Sequence, residues 1–110
     1  MRLPNGDRAT VDLEKLIDYC LNPDHPRGKH KARVFRSACG LTAENAEMMR
    51  QQLLEAAVQE EAVQTPRTAH GRRYVVECVM DGPAGKARVL TAWIVRDGED
   101  FPRFVSAYVM

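Results

Sequence analysis

Apolar residues first fall into a helical rhythm at Leu13, Leu16, Ile17, Cys20 and Leu21, the spacing of one buried face. Asp12 stands as the N-cap, Val11 is placed to staple onto Leu16, and Asn22-Pro23 ends the helix. A second helix is predicted from Gly28 to Cys39, because Gly40 then falls at the left-handed closing position. Thr42 caps a third helix, Ala43 to Gln59, which buries Ala46, Met49, Leu53, Ala56 and Ala57 and exposes Glu44, Glu47, Arg50, Gln51 and Glu55. Ahead of these, Asn5-Gly6 marks a turn or small hairpin leading into the first helix. The polar stretch from Glu60 to Gly71, with Pro66 inside it, predicts a loop.

Beyond Gly71 the period changes to alternation, and β-branched and aromatic residues dominate Arg72–Met80, Lys86–Arg96 and Phe101–Val109. Short connections at Asp81–Gly85 and Asp97–Asp100 make these strands antiparallel neighbours. The pattern therefore predicts an α+β fold, with N-terminal helices packed on one face of a small antiparallel β-meander. Residues 1–59 form the mainly helical half of a single domain spanning 1–110, and 72–109 form the sheet. Setting Met80 opposite Lys86 and Arg96 opposite Phe101 gives a core face of Tyr74, Val76, Cys78, Leu90, Ala92, Ile94, Val105 and Ala107. The other face then carries Arg73, Glu77, Thr91, Trp93, Phe104, Ser106 and Tyr108. Register decides this division, since a slip of one residue exchanges the two faces of a strand.

Composition narrows the class. With 45% apolar and 28% charged residues among 110, the chain is of ordinary globular type. No apolar run reaches membrane-spanning length and the N-terminus lacks a secretory core, so a cytoplasmic protein without membrane association is expected. Cys20, Cys39 and Cys78 are odd in number and lie in apolar surroundings, which suits reduced core thiols. No His, Cys or carboxylate pair has ligand spacing, so neither metal nor other cofactor is expected.

Charge singles out one segment. His25 to Arg36, HPRGKHKARVFR, holds five Lys or Arg, two His and no carboxylate, while the whole chain is only +1. Lys29, Arg33 and Arg36 form one stripe of the second helix, and Lys31 falls with Phe35 and Ala38 toward the packed side. Cations in a first turn oppose the helix dipole. Gly28, Lys29 and Lys31 at that N-terminus suggest a phosphate seat; a solvated basic face is the alternative. His25, which precedes Pro26, and His70, which precedes Gly71, are candidates for proton transfer, histidine being the side chain that ordinarily titrates near neutrality. Strand arginines Arg72, Arg73, Arg88, Arg96 and Arg103 add further cations. In the register above, Arg73 faces Trp93 in cation–π geometry.

The segments LPNGDRATVDLEKLIDYCLNPDHPRGKHKARVF, GRRYVVECVMDGPAGKARVLTAWIV and FPRFVSAYV resemble an uncharacterised bacterial domain family with the patterns LNPxHPxGxxKAxxF and TxW. Leu21, Asn22, Pro23, His25, Pro26, Gly28, Lys31, Ala32 and Phe35 carry the first pattern, and Thr91 and Trp93 the second. Similar domains occur as C-terminal modules of polymorphic and contact-dependent toxins, and the order of elements resembles RelE and barnase-like ribonuclease toxins. Unlike in such modules, neither a delivery region nor a catalytic residue beyond Met110 is expected.

Together with the basic N-terminal motif and the polar aromatic sheet face, the resemblance points to a small toxin-like protein, a metal-independent endoribonuclease or a domesticated relative of one, acting on RNA and met by a small neutralising partner protein. Its expected catalytic residues are His25, Lys31, Arg73 and Thr91. Its expected substrate-binding residues are Lys29, Arg33, His70, Arg72, Trp93, Arg103 and Tyr108, with Trp93 stacking a base. Two alternatives stay open. One is a non-catalytic antitoxin-like, immunity-like or nucleic-acid-binding module, favoured by a pI near 7.8. In the other, Pro23, Pro26 and Gly28 merely shape a corner and Lys31 caps its carbonyls. The ribonuclease reading requires the cationic corner and the tryptophan strand to share one pocket.

Overall fold

A computed structural model describes all residues, 1–110. A 3₁₀ turn at Gly6–Arg8 precedes α1 (Leu13–Lys15), which continues directly into a π-helical turn at Leu16–Cys20. Asp12 caps this segment through its side chain, accepting the Glu14 N–H at 3.0 Å. Next come α2 (Lys29–Cys39), closed at Gly40, and α3 (Ala46–Gln59), led in by a 3₁₀ turn at Ala43–Asn45. Thr42 and Asn45 form a reciprocal cap there, as the Thr42 position predicted.

Four strands follow, β1 (Ala62–Thr68), β2 (Gly71–Gly82), β3 (Gly85–Arg96) and β4 (Arg103–Val109), in the antiparallel order β1-β2-β3-β4. The helices cover one face, so the molecule is the expected α+β arrangement. Phe35, Cys39, Met49, Leu53 and Ala57 meet Tyr74, Val76, Met80, Val89 and Trp93 in one core. All three cysteines are buried and unpaired, and burial raises the thiol of Cys78 to about 11, with the charges of Glu60 and Glu77 adding to the effect. No helix is long and apolar enough to cross a membrane.

Two expectations need correction. The expected loop between Glu60 and Gly71 contains β1, an edge strand. Its polar composition suits a position with solvent on both sides, and an edge tolerates Pro66 because no ladder bond need be donated outward. The register also differs. Met80 lies opposite Ala87, and Gly82 opposite Gly85, so the hairpin turns on Pro83 and Ala84 alone. That is one residue from the expected pairing, and it exchanges the faces of β3: Thr91, Trp93 and Val95 point into the core, while Leu90, Ala92 and Ile94 belong to the uncovered side. On β4 the expected pairing with β3 holds at Phe104, opposite Trp93. A register shift between Ala92 and Trp93 then places Ser106 and Tyr108 opposite Ala92 and Leu90, on the uncovered face.

Candidate functional site

Two cationic, histidine-bearing regions lie in different parts of the fold. In the corner before α2, Nδ1 of His25 accepts the N–H groups of Arg27 at 3.0 Å and Gly28 at 2.9 Å. The His25 ring meets Tyr19 edge-on, with centroids 4.9 Å apart, and Nζ of Lys31 stands 5.6 Å from the same tyrosine ring. Gly28 is buried, and a Cβ there would approach the Tyr19 carbonyl oxygen to 2.3 Å. Only glycine lets the corner close this tightly against the first helix.

The phosphate seat expected at Gly28 is therefore corrected: its N–H and that of Arg27 are taken by the imidazole. Lys31 is half-buried over the tyrosine and bonds no main-chain carbonyl. Lys29 is half-buried, Arg33 is exposed, and Arg33 and Arg36 border a separate groove of about 350 Å³ with Leu21 and Leu41.

The second region is built by Gly71. At φ 156° its backbone runs so close to β3 that a Cβ would stand 2.2 Å from the Val95 carbonyl oxygen. This approach sets the start of β2 against the end of β3. The Asp97 N–H donates to the His70 carbonyl at 3.1 Å, and the His70 N–H donates to Oγ1 of Thr68 at 3.3 Å. The imidazole of His70 is exposed and has no hydrogen-bond partner. Arg73 projects from the uncovered face opposite Ile94.

A third group comes from far away in sequence. Thr10 pairs in parallel with Arg103; its N–H donates to the Pro102 carbonyl at 3.0 Å, and its own carbonyl accepts the Phe104 N–H at 2.9 Å. The segment entering α1 thus runs along the edge of β4 and sets Lys15 on the rim of the uncovered face. Lys15, His70, Arg73 and Arg96 line one open cavity of about 530 Å³ floored by Ile94 and Val105, with Asp97 at its border. Asp97 is engaged by Arg67, whereas Lys15, Arg73 and Arg96 belong to no ion pair. The cavity therefore presents three cations that form no ion pair, Arg96 within the field of Glu99, around one unpartnered imidazole, an arrangement suited to an anion.

Arg103 lies beside this cavity, in a smaller cleft shared with Lys15 and Arg96. Its guanidinium grips Glu99 through two hydrogen bonds of 2.8 and 2.7 Å and stacks 4.9 Å from the Phe101 ring. The hydrogen bond from Arg103 holds the Glu99 carboxyl below the usual carboxylate range, against the opposing effect of desolvation; the charges of Arg103 and Arg96 add to the lowering. Arg103 is thus compensated, unlike its neighbours.

Thr91 and Trp93 require the firmest correction, because both are fully buried. Oγ1 of Thr91 donates to the Val76 carbonyl at 2.7 Å and accepts Nε1 of Trp93 at 2.8 Å. The indole packs edge-on to Phe104 at 5.6 Å. Every polar atom of the pair is satisfied internally and no ligand reaches it, so neither residue can hold a phosphate or stack a base. The expected contact of Arg73 with Trp93 is replaced by Tyr74 opposite Trp93. Arg72 lies opposite Val95 and leaves from the covered side, exposed. Tyr108 is exposed on the open face, opposite Leu90.

Of the eleven residues singled out from the sequence, only His70 and Arg73 line the cationic cavity, with Arg103 and Tyr108 on the same face. His25, Lys29, Lys31 and Arg33 belong to the helical side, so no common pocket joins the corner to the tryptophan strand. Sequence reasoning passed over Lys15 and treated Arg96 as one of several scattered strand arginines. Only the parallel pairing of Thr10 with Arg103 brings Lys15 into reach, and no local pattern signals it.

A family model described as "Domain of unknown function (DUF6883)" matches residues 2–110. One chain of a solved structure titled "Contact-dependent growth inhibition toxin - immunity protein complex from Klebsiella pneumoniae 342" shares the fold, with a TM-score of 0.68 at 14% identity over 91% of this chain and 98% of that chain. No curated protein matches.

Proposed function

This chain belongs to the DUF6883 family, and we propose that it is a toxin-type, metal-independent endoribonuclease whose chemistry takes place in the cavity at the Gly71 end of the open sheet face. The observation that carries the reading is the meeting of His70 with Lys15, Arg73 and Arg96 in one cavity, with none of the three cations held in an ion pair. Its fold is that of one chain in a toxin–immunity complex, which supports a toxin-type or immunity-type role, and the cations gathered at His70 favour the former.

Cleavage of an RNA strand at such a site needs a proton carrier and positive charge around phosphorus. His70 takes the proton from the 2′-hydroxyl as its oxygen bonds to phosphorus. The P–O5′ bond breaks and the same proton passes from His70 to the departing 5′-oxygen, leaving a 2′,3′-cyclic phosphate and a 5′-hydroxyl. Lys15, Arg73 and Arg96 hold the additional charge of the pentacoordinate phosphorus, the task a metal ion performs in other nucleases. Compared with the expectation from sequence, His70 replaces His25, and Lys15 with Arg96 replaces Lys31.

The test is incubation of the purified chain with RNA in excess EDTA, with the new ends analysed chemically. Cyclic phosphate termini are expected, and Arg73→Ala should slow their appearance by about a hundredfold or more. RNA that stays intact with the unaltered chain removes the catalytic reading. If that RNA is nevertheless bound, with log affinity falling against log salt at a slope of about −2, as three phosphate contacts on a single strand require, the chain is a nucleic-acid-binding module.

A further inference from the structure

The helices leave one face of the sheet bare; the middle of that face is aliphatic, and charged side chains, among them the Glu77–Arg88 ion pair, occupy the remainder. Val63, Val75 and Ala92 align across β1, β2 and β3, and Leu90 and Tyr108 align across β3 and β4. Val63, Val79 and Tyr108 are exposed by 63, 59 and 46%. A soluble domain rarely leaves such a lane open unless something covers it. The cationic cavity lies at one end of this lane, floored by Ile94.

We propose that this whole face is the seat of a protein partner that is apolar at its centre and acidic where it meets Lys15, Arg73 and Arg96. Charge decides between occupants. Of the carboxylates near this side of the sheet, Glu77 is engaged by Arg88, Asp81 by Lys86, Asp97 by Arg67 and Glu99 by Arg103, and Asp12, in the cleft beside Lys15 and Arg96, accepts the Glu14 N–H. A second copy of the chain, docked face to face, would bury the free cations without carboxylates to receive them, at a high desolvation cost. A nucleic acid satisfies the cations but gains little from an aliphatic lane bearing a single aromatic ring, because bases stack on aromatic surfaces. A heterologous acidic surface with a branched apolar centre satisfies both halves of the face. The inference rests on the RNA reading for one consequence only: a partner seated here closes the His70 cavity and blocks cleavage.

The partner is sought by selecting a display library of source-genome fragments against the full chain, and each binder is then measured on two folded variants verified by circular dichroism. Binders are expected to be acidic and to lose at least about tenfold in affinity on Val79→Asp and on Arg73→Glu. They should keep full affinity for Arg33→Glu, on the helical side. Val79 takes no part in the cavity, so Val79→Asp should cleave RNA at the unaltered rate while escaping inhibition by the binder; loss of RNA cleavage by the unaltered chain would overturn the ribonuclease reading and leave the binding result standing. The proposal is overturned if binders ignore both open-face substitutions, or if no binder emerges. It is equally overturned if the purified chain is a dimer that Val79→Asp makes monomeric, which assigns the face to a second copy.

Discussion

The corner before α2 and the Gly71 end of the sheet have similar raw materials, a histidine, a glycine and several cations, yet they differ in what remains available. In the corner, Nδ1 of His25 already holds two main-chain N–H groups and Lys31 lies over Tyr19. At the sheet end, the His70 imidazole and three cations have no partner of their own. Density of charge along the chain is therefore a poor guide to a site. What counts is whether the polar atoms are already satisfied, since a group bonded within the fold must break that bond before it can serve a ligand.

Trp93 is the sharpest way to break this comparison, because a tryptophan lining a pocket between the two regions would serve ligand more than fold. Trp93→Ala should cost about 3–5 kcal/mol of stability, read as a large fall in denaturant midpoint. A variant with unchanged midpoint and lost RNA binding would restore the shared pocket. Next in size, His70→Ala should reduce RNA cleavage by about a hundredfold or more while the melting temperature stays where it was, the imidazole having no bond to lose.

His25→Ala should do the reverse. Loss of its cap costs about 1 kcal/mol, as for other helix-capping side chains, and the folded fraction should cleave RNA at the normal rate. His25→Asn, which retains an acceptor near the same N–H groups, should recover part of that stability. Equal loss of activity in His25→Ala and His70→Ala, at matched folded fraction, would erase the distinction between the regions.

The smallest effect is one of pH. Glu99 and Asp100 are held below the usual carboxylate range, chiefly by hydrogen bonds from Arg103 and Arg8. A carboxyl lowered in the folded state stabilises the fold above its unfolded value of about 4 and loses that contribution as pH falls through the lower folded value. The melting temperature should therefore be flat on this account between pH 7 and 5 and fall below about 4, with a shallower acid limb in Arg103→Ala. Asp100 is exposed and Glu99 only half-buried, so screening by salt should shrink the difference.

Much of the fold was legible because its causes are local. The stripe Ala46, Met49, Leu53, Ala56 and Ala57 is buried as its spacing demands, and Thr42 caps where a threonine before an apolar helix should. The alternation of Tyr74, Val76 and Cys78 correctly identified the covered face of β2. The site was far less legible. Of its four principal groups, His70 was singled out as a histidine entering a strand and Arg73 for a contact with Trp93 that the register removes, whereas Lys15 and Arg96 gave no local sign.

By itself, then, the sequence determined the three helical segments, the three C-terminal strands, their meander order and the α+β class, since periodicity, caps and short turns act within a few residues. Tertiary structure alone decided which face of β3 is wet, and with it the fate of Thr91 and Trp93: a two-residue tip at Pro83-Ala84 and the register shift opposite Ala92 set a parity that composition does not encode. It also decided that β1 pairs at the edge and that Lys15 crosses the rim beside Arg73 and Arg96, because hydrogen bonds between distant strands, not local preference, bring those groups together.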